Sequence, residues 1–201
     1  FGKAWQELKE TGAPGDEEQL LQALRTLASR SALPNGKQPT PRQSSTLADV
    51  DALVAQAEQV NPDFHAFLRA LVEECGGEYM QGPNKTRARA IEKIEGDYDG
   101  DHTKLVDAVR ASAIFKTFLQ LTLAVQALMA DGCKLIVVRA KDRFNSPLDS
   151  GYRDMLLNVR WSNESSSFTY FTGKEWSALF GSPMERAAAR LASEGAGALD
   201  P

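Results

Sequence analysis

The stretch KLIVVRAKD, Lys134 to Asp142, constrains the fold more than any other part of the chain. Leu135, Ile136, Val137 and Val138 run together with no polar residue between them. A short apolar run rich in β-branched residues reads as a strand, and its lack of alternation predicts burial on both faces. The text before it, TFLQLTLAVQALMADG, has helical spacing and closes on Gly132. The text after it, KDRFNSPLDSGYRD, is charged and turn-rich, and runs into a second apolar strand, MLLNV. Lys141 therefore falls where a strand end meets its loop, the edge at which α/β sheets bind their ligands.

The rest of the chain predicts an α/β protein: a mixed β-sheet of about four or five strands flanked by helices. Acidic residues 16–18 open LLQALRTLASR as an amphipathic helix. Ser31 to Ser45, SALPNGKQPTPRQSS, has the composition of a linker, which makes residues 1–30 a helical appendage and 31–46 a flexible connection. A helix is predicted from Leu47 to Val60. A restart follows at Asn61-Pro62-Asp63, then an apolar stripe through Phe64, Phe67, Leu68, Leu71 and Val72 that Gly76-Gly77 stops. NKTRARAIEKI is predicted helical, GDYDGDH a turn, VRASAIF a strand and FTYFT a further strand. KEWSALFG and PMERAAARLASEG are predicted as closing helices.

Bulk properties narrow the function classes. Of 201 residues, 42% are hydrophobic, enough for a packed core, and the net charge of −4 argues against a general nucleic-acid or membrane-surface binder. No apolar run is long enough to span a bilayer. His65 and His102 are the sole histidines, which excludes a histidine-rich metal site. Cys75 and Cys133 have no metal-ligand spacing and imply no disulfide framework. This usage fits a soluble protein of a reducing, intracellular compartment. The opening on Phe1 reads as part of a longer chain.

Three constellations carry possible chemistry. Lys85, Arg89 and Lys93 recur every four residues, with Arg87 between them. On a helix they would share a face able to hold a triphosphate, or would make a solvated face paired with Glu92 and Glu95. Asp107 and Arg110 stand just before a strand. An acid there can ligate Mg²⁺, or can pair with a nearby cation on the surface. Asp97, Asp99 and Asp101 imitate the start of a calcium loop without its remaining ligands, and read as a turn. The third is KDRFNSPLDSGYRD. Gly151 permits a turn or close ligand approach, Tyr152 offers a flat face for a base, and Arg143 or Arg153 can pair with phosphate.

Together NKTRARAIEK, VDAVRAS and KDRFNSPLDSGYRDMLLNV resemble the RelA/SpoT-type nucleotide pyrophosphokinases, the alarmone synthetases, in a divergent branch. The resemblance covers about Asn61 to Val159 and makes residues 47–201 a domain of the nucleotidyltransferase-like synthetase fold. It implies transfer of pyrophosphate from ATP to the 3′-hydroxyl of a purine nucleotide acceptor such as GDP or GTP, forming (p)ppGpp-type products with Mg²⁺. On that resemblance Asp107 ligates Mg²⁺, and Arg87 and Arg89 lie along the ATP base and phosphates. Lys93 lies on the same helix, Lys141 lies near the transferred phosphates, and Tyr152 stacks on the acceptor base.

The chain departs from the family pattern in one respect that matters. No Glu-x-Gln follows Tyr152; the expected strand reads SFTYFT, and the nearest acids are Glu164 and Glu175. A group that holds metal and activates the acceptor hydroxyl is therefore missing from its place. Three readings stand at this point: an active pyrophosphokinase, a nucleotide-binding or regulatory module without catalysis, and an interaction domain on an inherited fold.

Overall fold

The computed structural model describes residues 2–43, 47–130 and 133–162. In chain order the elements are α1 (Gly2–Thr11), α2 (Asp16–Arg30), α3 (Val50–Glu74), β1 (Glu78–Gln81), α4 (Arg87–Tyr98), a 3₁₀ turn (His102–Lys104), β2 (Ala111–Ile114), α5 (Phe118–Met129), β3 (Leu135–Asp142) and β4 (Met155–Trp161). The protein is a mixture of helices and strands, as expected. The predicted FTYFT strand, the closing helices, Glu164 and Glu175 lie outside the described residues.

The sheet differs from the expectation. The described strands form two separate antiparallel pairs, β1 with β2 and β3 with β4, rather than one mixed sheet of four or five. The LIVV run is not buried on both faces either. Leu135 is buried, but Ile136 is 39% exposed. Register slips between Val137 and Arg139, so Val138 is the extra residue of a bulge. Consecutive apolar residues thus serve an edge pair whose two faces differ, and the bulge rather than a second covering layer accounts for the lost alternation.

Helix α5 holds the halves together. Its sequence FLQLTLAVQALM is apolar on nearly every side, as a helix buried on two sides must be. On one side Phe118 and Val125 join Leu20, Ala23, Leu24 and Leu27 of α2, with Val137, Met155 and Leu157 of the β3–β4 pair packed against them. On the other, Ala124 and Ala127 join Leu71 and Cys75 at the end of α3. A third cluster lies beyond, where Leu53 of α3 meets Ala90 and Ile94 of α4, with Leu105 and Ala108. Residues 16–30, expected as an appendage, therefore supply the largest apolar cluster. Each fully buried leucine there contributes about 1.5–3 kcal/mol relative to exposure.

The expected linker is unstructured in the regular sense but anchored. The Gln38 side-chain amide donates to the Ala28 carbonyl at 2.7 Å, and its oxygen accepts from the Ala140 amide at 2.9 Å. Gln43 donates to the Leu105 carbonyl, and Arg42 pairs with Asp101 at 2.6 Å. The restart expected at Pro62 is absent, for α3 runs through it. Proline removes one helical hydrogen bond and crowds the preceding turn, at a cost of about 3 kcal/mol. Burial of Leu53, Phe64, Leu71 and Val72 along the same helix offsets that cost. The predicted stop holds: α3 ends at Glu74, and Gly76 takes a left-handed φ of 75°.

Because α2 is core, Leu24→Ala is expected to lower unfolding free energy by about 2–5 kcal/mol. Urea denaturation followed by circular dichroism measures it, and an appendage would show almost no change.

Candidate functional site

Asp107 lies in the loop between the 3₁₀ turn and β2, and two lysines converge on it. Lys85 Nζ and Lys93 Nζ each lie 3.1 Å from Asp107 Oδ2. Backbone pairing sets this up, since the Lys85 amide donates to the Ala108 carbonyl at 3.0 Å and the Gly82 amide to the Arg110 carbonyl at 2.9 Å. Lys85 does not lie on the helix with Arg89 and Lys93, as expected, but ahead of it. Thr86 is the N-cap and accepts from the Arg89 amide, so the helix begins at Arg87. The Lys85 side chain is only 11% exposed, so its ammonium depends on Asp107 as counter-charge.

Burial works against the charge on Asp107, but hydrogen bonds from Lys93 and Lys85, with their charges, outweigh it and hold the carboxyl below its ordinary value of 3.8. Burial also works against the charge on Lys93. The hydrogen bonds to Asp107 and Tyr98 outweigh it and lift Lys93 above its ordinary 10.5. Asp107 Oδ1 and Asn84 Oδ1, by contrast, are buried and have no hydrogen-bond partner among the described residues.

The other basic residues of α4 diverge from this cluster. Arg87 makes a two-pronged pair with Asp51 of α3, with Nη2 3.0 Å from Oδ2, and Arg89 pairs with Glu92 at 2.6 Å on its own helix. Both are exposed, so the shared basic face expected along Lys85, Arg89 and Lys93 does not form. Arg110 donates to the Pro83 carbonyl at 3.1 Å and tethers the strand entry. Asp101 caps the 3₁₀ turn and meets Arg42. Its carboxyl is held down to about 2 by hydrogen bonding to Thr103 and then to Arg42. The expected acidic turn begins only at Asp99, because Gly96, Asp97 and Tyr98 belong to α4.

The second group surrounds the loop between β3 and β4. Lys141 is the penultimate residue of β3, exposed and opposite Leu156, so it lies within the strand, which ends at Asp142 as its sequence predicts. Asp142 accepts from the amides of Phe144 and Asn145 at 3.1 and 3.0 Å, which turns the chain out of the strand. Arg143 and Asp154 close the loop as a bidentate pair at 2.5 and 2.6 Å, and the Arg143 amide also donates to the Asp154 carbonyl at 3.0 Å. The Arg143 guanidinium lies 5.6 Å over the Tyr152 ring. The charge of Asp154 beside it, with burial, raises the Tyr152 hydroxyl above its ordinary value, although Arg143 pulls the other way. Gly151 has a φ of 73°, a left-handed conformation that glycine adopts freely, which makes it a turn residue. Arg153 donates to the Phe144 carbonyl and lies 4.7 Å over the Trp5 ring.

Sequence reasoning thus finds the elements that carry the charge but misses who pairs with whom. It also misses Trp5, Asn84 and Asn145, which carry no motif and gain importance only from tertiary neighbours. The two groups stand on different strand pairs: Asp107 just before β2, Lys141 within β3. A cleft of about 250 Å³ lined by Leu27, Arg30, Met129, Cys133 and Ile136 contains none of the expected site residues.

The donor set around Asp107 does not fit a resident Mg²⁺. Two ammonium groups against one carboxylate leave the cluster net positive, which repels a dication and attracts an anion. Among the described residues no group of three His, Cys, Asp or Glu could hold a metal ion. No helix among them is long and apolar enough to cross a membrane. No protein-family model, curated protein or solved structure matches the chain.

The ion pairs set a pH window. The lowered folded value of Asp107 stabilises the protein above pH 3.8, a contribution lost as pH falls through that lowered value. The raised folded value of Lys93 stabilises it below pH 10.5, a contribution lost as pH rises through that raised value. Asp107→Ala is expected to cost roughly 1–3 kcal/mol at neutral pH, because it leaves Lys85 without its partner. Urea midpoints from pH 2 to 8 should then show a smaller acid-side loss in the variant than in the parent.

Proposed function

We propose that this chain is a nucleotide-binding domain of RelA/SpoT-like type that takes the polyphosphate of a purine nucleoside triphosphate such as ATP. One observation carries the reading: Lys85 and Lys93 converge on Asp107 while Asp107 Oδ1 stays buried without a donor. Paired ammonium groups suit phosphate oxygens, and an unpaired carboxylate oxygen beside them suits a ligand hydroxyl. A nucleotide presents both. Tyr152, beside the Arg143–Asp154 pair, is the residue that would meet a base.

Pyrophosphate transfer to GDP or GTP is the activity the resemblance implies, and two observations weigh against it here. No Glu-x-Gln follows Tyr152, and the one acid at the phosphate site is already neutralised by lysines. The reading is therefore binding without turnover, and no step through Mg²⁺ is part of it.

Titration calorimetry with ATP and with inorganic tripolyphosphate, without added metal, tests the proposal. Lys93→Ala is expected to weaken both ligands by at least about tenfold, the scale of one charged hydrogen bond. Asp107→Asn is expected to tighten tripolyphosphate, because it removes the negative charge between the lysines. No binding by the parent chain would leave an interaction domain. A pyrophosphorylated product from labelled ATP, Mg²⁺ and GDP or GTP, lost in Asp107→Asn and Tyr152→Ala, would overturn the binding-only reading in favour of a synthetase.

A further inference from the structure

The loop that bears Tyr152 has a set of contacts the nucleotide reading does not use. Its early part is tied to α2 through Asn145. The Asn145 side-chain amide donates to the Leu21 carbonyl at 3.2 Å and to Asp142 Oδ2 at 2.5 Å, while its oxygen accepts from Arg25 Nη1 at 3.0 Å. Its late part is tied to α1 through Arg153, which lies over Trp5 and donates to the Phe144 carbonyl. Trp5 is itself fixed. Its ring centroid lies 4.8 Å from that of Phe118 and 5.5 Å from that of Phe144, and its indole N–H donates to Glu17 at 3.0 Å.

We infer that Trp5, Asn145 and Arg153 are positioning residues through which α1 and α2 hold the Tyr152 loop ready for a purine base. This inference rests on the nucleotide-binding reading above. Ordering a free loop upon binding costs about 1–2 kcal/mol for each residue fixed. A loop already fastened at both ends escapes most of that cost, so affinity for a base depends on the fastening. Arg153, expected from the sequence to pair with phosphate, has the different task of holding the loop. The N-terminal helices gain a function beyond their place in the core: anything that unseats α1 loosens the base site and leaves the Lys85–Lys93 cluster on Asp107 untouched.

The test compares ATP with inorganic tripolyphosphate, which has no base, in the full chain and in Arg153→Gln, Asn145→Ala and Arg153→Lys. Hydrogen exchange at the Leu148 and Gly151 amides, which donate within the loop to Tyr152 and Leu148 carbonyls, is followed in parallel. Arg153→Gln and Asn145→Ala are expected to weaken ATP by about tenfold or more. Tripolyphosphate should stay within about twofold, and both amides should exchange faster. Arg153→Lys, which keeps a cation over Trp5, should recover most of the ATP affinity. Unchanged ATP affinity, equal losses of ATP and tripolyphosphate, or unchanged amide exchange would each overturn the inference. A parent chain that binds tripolyphosphate as tightly as ATP would overturn it through the base site. A parent chain that binds neither would sink the nucleotide reading itself, and the exchange data alone would then show whether the fastening exists.

Discussion

Two of the three apolar clusters among the described residues are built on one helix that has almost no polar face to give to water. Because α5 is apolar nearly all round, it must be covered on both sides. One cover is α2 with the β3–β4 pair, the other is the end of α3. The two strand pairs never join among the described residues, so α5 and the α3–α4 contact, rather than a continuous sheet, connect the region of Asp107 to the region of Tyr152. A helix sandwiched in this way also explains why the N-terminal segment is indispensable to the core. Without α2, Phe118 and Val125 would face water.

The charged residues divide into those that hold the chain and those that remain suited to a ligand. Arg87, Arg89, Arg110 and Arg153 reach Asp51, Glu92, the Pro83 carbonyl and the Phe144 carbonyl respectively, and each brings elements together or steadies one. Arg143 is bound two-pronged to Asp154 and thereby closes its loop. The lysine pair on Asp107 differs in kind. Two compact ammonium groups share one oxygen, leave a net positive charge, and sit beside an acceptor without a donor. Arginine's fork suits fixed carboxylates, whereas lysine's point charge can turn from one oxygen to another. That chemical difference is why the phosphate reading settles on Lys85 and Lys93 and not on the arginines the sequence offers in greater number.

Much of the local structure was legible in the residues. Gly76 marks the stop after α3, residues 16–30 form a helix, and Leu135 to Asp142 is a strand. The illegible parts share a physical cause. Pro62 looks like a break because its local cost is visible and the burial that offsets it is not. Residues 31–43 look like a free linker because composition hides the bonds from Gln38 to Ala28 and Ala140. The strand β1 is short, and three of its four residues are exposed, so its periodicity carries almost no signal.

By itself the sequence determined that residues 16–30 are helical, that Leu135 to Asp142 is a strand and that α3 stops before Gly76, that charge gathers at Asp107 and around the β3–β4 loop, and that the Glu-x-Gln pattern is missing. These are properties of neighbours along the chain: periodicity, capping and composition. Only the tertiary structure decided that the strands pair as two antiparallel ribbons, that Lys85 and Lys93 meet on Asp107 while Arg87 and Arg89 turn away, and that Trp5 reaches Arg153. Each of those outcomes is a choice among several partners of similar intrinsic strength. Burial and the path of the backbone make that choice, and both exist only once the chain has folded.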